Sequence, residues 1–516
     1  TYTPNADYNG PDSFTYTVCD TSTACTTATI TITVTAVNDR PTAQPASAST
    51  GEKAPVDVQL SGQDRDGDGL TYAIVTPPGG GTVSVVAATG LATYTPAPGH
   101  GGVDTFTYTV SDGTTTSASA TVTVTTVLGS DGTYFPVSPH RLLDTRVATG
   151  TSSRTRVGSG QTIAVQVAGV AGSGLPATGI AAVSINLTAT EATGNGYLVA
   201  HASGTPRPPS SNVNYVTAAS VPNAAIVPVG ADGKVLIFNT GSSVHLVVDV
   251  VGWYSGPGRA PGSRLQVLPP ARLLDTRTPG LGPIGSNSTL DVQVTGVPGT
   301  GVPATGVAAV VMNLTQAGND QGGWMTVYPT GEARQYTSSL NFAPGDIDPN
   351  MVVSKVGTGG KVSIYNLQGN AHVIIDILGY YTDPGGSGGR FVSIAAERLA
   401  DTRSPVGGGA ATPIGAGQTI AVGVAGVPGS AIPSIGQDGT TGVVANITVA
   451  STTIGGYLTV YPSGDARQGT STLNMTPNQV VPNMTITKVG EGGRISIYND
   501  LGQTNVIVDV VGYFRF

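Results

Sequence analysis

The sequence predicts an all-β protein, a tandem array of β-sandwich domains, and three observations predict it. Charged residues make up only 10% of the 516, while Gly numbers 73 and Thr, Val and Ala crowd every segment, a mix that favours strands and turns over helices. Thr alternates with Ile or Val in runs such as ATITIT, Ala28–Thr33, and ATVTVT, Ala120–Thr125. Such runs give one apolar and one hydroxyl face, as expected of half-buried antiparallel strands. The chain also repeats itself in two ways, and short strands broken by turn signals within each repeat read as sandwiches.

The first repeat pairs TPNADYNGPDSFTYTVCD, Thr3–Asp20, with TPAPGHGGVDTFTYTVSD, Thr95–Asp112, at a constant offset of 92 residues. Residues 38–130 therefore form a whole module, and residues 1–37 match only its carboxyl-terminal strands. So short a piece cannot bury a core alone, and its missing strands are expected from upstream sequence or from another chain. Cys19 and Cys25 sit in two strand-like runs flanking a polar turn. They read either as a cross-hairpin disulfide, which fits an oxidising, extracellular setting, or as two free thiols.

The second repeat has three copies, 131–255, 264–382 and 390–516. Each opens on RLLDTR or RLADTR (Arg141–Arg146, Arg272–Arg277, Arg398–Arg403) and continues through an N-[LI]-T strand at Asn186, Asn313 or Asn446. A GYL or GWM strand, an Asn strand around Asn214, Asn341 or Asn474, and a PN step at Asn223, Asn350 or Asn483 follow. A closing strand carries Asp249, Asp376 or Asp509. About eight short strands per copy read as a compact β-sandwich, jelly-roll-like. The joints GPGRAPGSR and TDPGGSGG read as mobile or semi-rigid linkers, so five beads in a row are expected, the first incomplete.

Asp64–Gly69 reads DRDGDG, the opening of an EF-hand loop, but the twelfth position is Val75 and no helices flank it. Three carboxylates at alternate positions still offer hard oxygen ligands for calcium; otherwise they are solvated turn aspartates. VNDRP, Val37–Pro41, ends the first module, and DRDGDGLTY follows in the next. Together these segments resemble the cadherin-like and bacterial Ig-like tandem modules of secreted adhesins, over residues 1 to about 127. The resemblance implies Ig/cadherin-like sandwiches and a calcium ion at the joint, held by Asp39, Asp64 and Asp66, with Asn38 and Asp68 as further ligands. The chain departs from cadherins proper in lacking a clear replacement for the missing DxNDN acids, Glu52 being the candidate substitute. The junction VLGSDGTYF, Val127–Phe135, lacks N-D-x-P, and no ion is expected there.

In RLLDTR, strand alternation places Leu142, Asp144 and Arg146 on one face and Arg141, Leu143 and Thr145 on the other. One reading makes Asp144 and Arg146, with Asp275 and Arg277, and Asp401 and Arg403, structural ion pairs that fix register, beside Arg141, Arg272 and Arg398. The other makes Arg146, Arg277 and Arg403 glycan ligands, with Trp253 and Tyr254, Tyr380 and Tyr381, Tyr513 and Phe514 as stacking platforms. The structural reading is favoured. The three copies also resemble β-repeats of secreted, multi-domain proteins of actinobacteria and related Gram-positive lineages, which implies a surface location and no particular activity.

Composition and motifs exclude several classes. A net charge of −8 with no basic cluster speaks against nucleic acid, and no run of about 18 apolar residues exists to span a membrane as a helix. The five histidines form no HxH or HExxH, and no G-x-S-x-G elbow or P-loop is present, so no enzyme is expected. Asp144 with Asp249 as a glycosidase pair lacks a cleft-forming insertion. The NLT and NIT asparagines lie within strands and read as internal hydrogen-bond partners. The expectation is an extracellular, cell-surface structural or adhesive protein that self-associates into a fibre, stalk or sheath. The alternative is a multivalent carbohydrate-binding array for cell-wall or capsular glycans.

Overall fold

A computed structural model describes residues 1–52, 54–97, 100–127, 132–256, 261–406, 411–436 and 439–516. Strands dominate, no α-helix occurs among the described residues, and no helix is long and apolar enough to cross a membrane. The chain divides into two compact units, Thr1–Val127 and Leu128–Phe516.

In the first unit, Gly10–Cys19 pairs with Cys25–Val34 as an antiparallel hairpin, and a disulfide joins Cys19 to Cys25 at its closed end. Residues 38 onward form a sandwich. One sheet runs Ala46–Gly51, Ala120–Val127, Gly102–Ser111, Thr71–Thr76, and the other Val56–Gln59, Leu91–Pro96, Gly81–Val86. Period-two alternation builds its core: Phe106, Tyr108, Val110, Val122 and Val124 point inward against Ala92 and Tyr94, all at most 1% exposed. Intervening residues such as Thr107 and Thr123 keep their hydroxyls at the other face.

In the second unit each copy has eight strands among the described residues. In the first they are Tyr134–Asp144, Thr162–Gln166, Ile180–Thr190, Gly196–Ala202, Val213–Tyr215, Val221–Pro228, Lys234–Asn239 and His245–Ser255. One sheet orders them first, eighth, third, sixth, and the other second, seventh, fourth, fifth. That is jelly-roll connectivity, and both other copies reproduce it. The third strands do not alternate: in Ile180–Thr190 every residue from Ala182 to the end is buried. A strand buried on both faces reads as a continuous run, and here the second face packs on the neighbouring copies.

The three copies are therefore not separate beads. Tyr134 and Ser263 exchange backbone hydrogen bonds of 2.8 Å, Leu265 and Gly389 bonds of 2.9 and 2.8 Å, and the Phe391 N–H donates to Gly132 O at 2.8 Å. Each first strand is thus tied to the residues just ahead of the next copy's first strand, and the third returns to the first. Inside this ring lie Tyr134, Tyr254, Tyr381, Phe391 and Phe514, with Tyr134 stacked on Tyr381 at 4.2 Å and Tyr254 tilted against Phe391 at 4.5 Å. The linker reading fails because Gly, Pro and Ser report backbone freedom and carry no trace of tertiary partners. Ser263, Arg264 and Gly389 are bonded into the ring, while 257–260 and 128–131, the latter within the junction where no ion was expected, lie outside the described residues.

Candidate functional site

The RLxDTR strands carry the densest polar chemistry. Pairing with the eighth strand slips between Arg141 and Leu143, and equivalent slips follow Arg272 and Arg398. This irregularity corrects the expected faces: Arg141, of the opposite parity to Asp144, turns to the same side and donates to Asp144 Oδ2 at 3.0 Å. Arg146 grips Asp144 through Nε (3.0 Å) and Nη2 (2.8 Å), and its backbone N–H adds a third bond. Arg141 grips Asp249 at 2.8 and 3.0 Å, and Asp249 accepts the backbone N–H of Ser338 from the second copy at 3.0 Å.

The second copy repeats this relay, and the third repeats its ion pairs. Arg277 binds Asp275 at 2.9 and 2.7 Å, Arg272 bridges Asp275 and Asp376, and Asp376 accepts Ser471 N–H of the third copy. Arg403 binds Asp401 at 2.9 and 2.7 Å, and Arg398 binds Asp509 at 2.8 and 3.0 Å. Hydrogen bonds from Arg277 and Arg403 hold the Asp275 and Asp401 carboxyls below their ordinary range against partial burial. At Asp144 burial opposes the charge more strongly, yet the bonds from Arg146 and the field of Arg141 outweigh it in the same direction. Arg264 is fully buried beside the ring, a position that its linker composition did not signal.

The asparagines join the copies more directly. Asn186 donates to Ser338 O at 2.5 Å, Asn313 to Ser471 O at 2.7 Å, and Asn446 to Ser211 O at 2.7 Å. Their Oδ1 atoms accept from Asn350, Asn483 and Asn223 respectively, at 2.8, 3.0 and 3.0 Å. Asn350, Asn483 and Asn223 in turn accept the backbone N–H of Ala224, Met351 and Met484. Six asparagines thus form a cyclic ladder through the three copies. The terminal aromatics do not form an exposed platform: Trp253, Tyr254, Tyr381, Tyr513 and Phe514 are buried core groups. His245 and His372 bond the hydroxyls of Thr145 and Thr276, and Asn505 does the same with Thr402, which explains how the third copy replaces the imidazole.

In the first unit, oxygens of Asp64, Asp66 and Asp68 lie within 4.8 Å of one another. Asp64 Oδ1 accepts the N–H groups of Asp66 and Asp68, while its Oδ2 is buried without a hydrogen-bond partner among the described residues. The set fits a hard cation, which prefers several carboxylate oxygens. Asp39 reaches it through its backbone N–H, 2.6 Å from Asp66 Oδ2, and its carboxylate is outside the group. Asn38 instead donates to Asp112 Oδ2 at 2.9 Å.

Sequence reasoning noted the GYL and GWM strands and the Asn strands but gave them no joint role. Tyr197 with Asn214, Trp324 with Asn341, and Tyr457 with Asn474 are cross-strand partners. The signal that would have found them is their constant separation of 17 residues in all three copies. They border two grooves of about 620 and 940 Å³. The smaller lies between the second and third copies, and the larger draws on all three.

Residues 1–33 and 38–125 match the bacterial Ig domain. That accounts for the amino-terminal tandem modules; the RLxDTR copies lie outside the match. No curated protein matches the chain. Among solved structures, the SGBP-B protein of the Bacteroides ovatus mixed-linkage glucan utilization locus, bound to a mixed-linkage heptasaccharide, is 9% identical over 92% of this chain and 100% of its own, with a TM-score of 0.14. A triple jelly-roll protein of the turret assembly of an archaeal virus is 7% identical over 74% and 90%, with a TM-score of 0.15. Sidekick-1 immunoglobulin domains 1–5 are 8% identical over 89% and 78%, with a TM-score of 0.12. Scores this low carry no argument about arrangement or function.

Proposed function

We propose that the chain is an extracellular, cell-surface structural or adhesive protein that self-associates, its three RLxDTR copies serving as one stiff building block. The observation that carries this reading is the closed ring of backbone bonds with its cyclic asparagine ladder, because such interlocking resists separation of the copies under load. Asp144 and Asp249 are both engaged by Arg141 instead of facing each other across a cleft, which supports a non-enzymatic role. A glycan-binding array built on Arg146, Arg277 and Arg403 is disfavoured, since Nε and Nη2 of each already donate to an aspartate. Calcium at Asp64, Asp66 and Asp68 would stiffen the Ig-like modules. Electron cryo-microscopy of the source cell surface, with and without chelator, tests the reading. Ordered arrays containing this chain are expected; a dispersed chain that also stays monomeric by light scattering at high concentration overturns it.

A further inference from the structure

Each RLxDTR copy carries the same small platform on its second sheet. Tyr197, Trp324 and Tyr457 stand near the start of the fourth strands. At constant separations of 10 and 41 residues follow Arg207, Arg334 and Arg467, and then Phe238, Tyr365 and Tyr498 on the seventh strands. Each guanidinium carbon lies 3.8 Å from the centre of its seventh-strand ring, a cation–π contact that holds the group in place. Among the described residues none of the three arginines has a hydrogen bond or an ion pair through its side chain, whereas Arg146, Arg277 and Arg403 each grip an aspartate. The platforms are open to solvent. Arg207 and Arg467 are exposed and Arg334 is half-buried, Tyr197 is 41% exposed, and Trp324 and Tyr457 are half-buried. Directly across from Phe238, Tyr365 and Tyr498, on the second strands, stand Thr162, Thr289 and Thr419, all exposed.

Charge narrows the guest. An arginine fixed on a ring with its N–H groups unpaired is prepared for a planar oxyanion, which the guanidinium fork binds through two bonds at once. A second cation stands on the same face four residues earlier in each seventh strand, Lys234, Lys361 or Arg494, about 13 Å away. Lys361 and Arg494 have no carboxylate partner among the described residues, and Lys234 has Asp232 at 3.9 Å. On the second strands beside these groups the one carboxylate, Asp291, accepts from the Ser363 hydroxyl at 2.6 Å. Open aromatic rings and exposed threonine hydroxyls suit the apolar faces and hydroxyls of sugars, and three like platforms on one compact unit suit a polymer that presents the same group repeatedly. Nucleic acid also repeats an anion, but a net charge of −8 opposes so densely charged a chain. We propose that the three platforms bind an anionic polysaccharide, each arginine pairing with a carboxylate or phosphate of the polymer while a sugar ring rests on the neighbouring aromatic. The platforms are distinct from the RLxDTR arginines, and they require no self-association.

The test is binding of the full chain to immobilised polygalacturonate, which carries carboxylates, and phosphomannan, which carries phosphates. Fully methyl-esterified polygalacturonate removes only the charge, while polyglutamate and oligo(dT) stand for an acidic peptide and a nucleic acid. The expected result is binding to polygalacturonate or phosphomannan, whichever binds naming the oxyanion, at least tenfold tighter than to the methyl ester. Arg207→Gln combined with Arg467→Gln should weaken it about tenfold with the melting temperature within a few degrees of the parent. Arg154→Gln, at an exposed arginine outside the platforms, should leave it unchanged. No binding to either polymer at millimolar sugar, equal binding to the methyl ester, or preference for polyglutamate or oligo(dT) overturns the proposal. So does a double variant that binds like the parent, or an equal loss from Arg154→Gln. The methyl-ester comparison uses the parent chain alone and decides the charge requirement even where the double variant unfolds. A chain that stays monomeric by light scattering yet binds removes the proposed assembly and leaves the platforms standing, and ordered arrays without binding do the reverse.

Discussion

Asn350 donates to Oδ1 of Asn186 at 2.8 Å and thereby joins the second RLxDTR copy to the first. The same amide donates to Ser339 O and accepts from Ala224 N–H, so one side chain serves three buried groups. Asn350→Ala leaves those groups buried and unpaired, which costs about 1–3 kcal/mol for each neutral group that water cannot reach. A loss of about 3 kcal/mol in urea unfolding of the second unit is expected. A loss under about 1 kcal/mol would show that the ladder is not what holds the copies together.

The shared aromatic centre predicts cooperativity. Phe391 packs on Tyr254 of the first copy and on Phe514 of the third, so cavity formation at one position disturbs two copies at once. Phe391→Ala is expected to cost about 3–5 kcal/mol. Calorimetry should show the whole transition of residues 132–516 moving down together. A separate, unshifted transition for the second copy would favour independently folding domains.

Strand alternation made the all-β class legible, and repetition marked the eight strands of each copy, because both depend on local pattern. The closed ring was not legible. Ser263 and Gly389 look like linker residues in sequence, and their partners Tyr134 and Leu265 lie more than a hundred residues away. The Arg141 to Asp144 contact was missed for a related reason: a register slip reverses the face on which a strand residue falls, and nothing in RLLDTR announces it. The Asp64, Asp66, Asp68 cluster was legible because its spacing is local, whereas Asn38 follows a distant partner, Asp112.

Calcium is expected to stabilise the first unit through those three carboxylates. With free calcium at about 100 times Kd the linkage gain is about 2.7 kcal/mol, read as an upward shift of that unit's calorimetric transition. Asp66→Asn should abolish most of the shift. Equal stabilisation of parent and variant, or no calcium heat by titration calorimetry at millimolar metal, would leave the aspartates as ordinary turn residues.

Acid should weaken the second unit through the aspartates of its three RLxDTR strands. Asp144, Asp275 and Asp401 have carboxyls held below their ordinary value by arginine partners in the folded state. Their stabilisation is therefore fully present above the unfolded carboxylate value of about 4 and is lost as pH falls below it through the folded values. The melting temperature of the second unit, followed by circular dichroism, is expected to fall steeply below about pH 4. In Asp401→Asn the unit should start lower at neutral pH and fall less steeply on acidification, because one of the proton-linked groups is gone. A parent and a variant with parallel pH profiles would mean that the Arg403 to Asp401 bonds, at 2.9 and 2.7 Å, contribute nothing to folding.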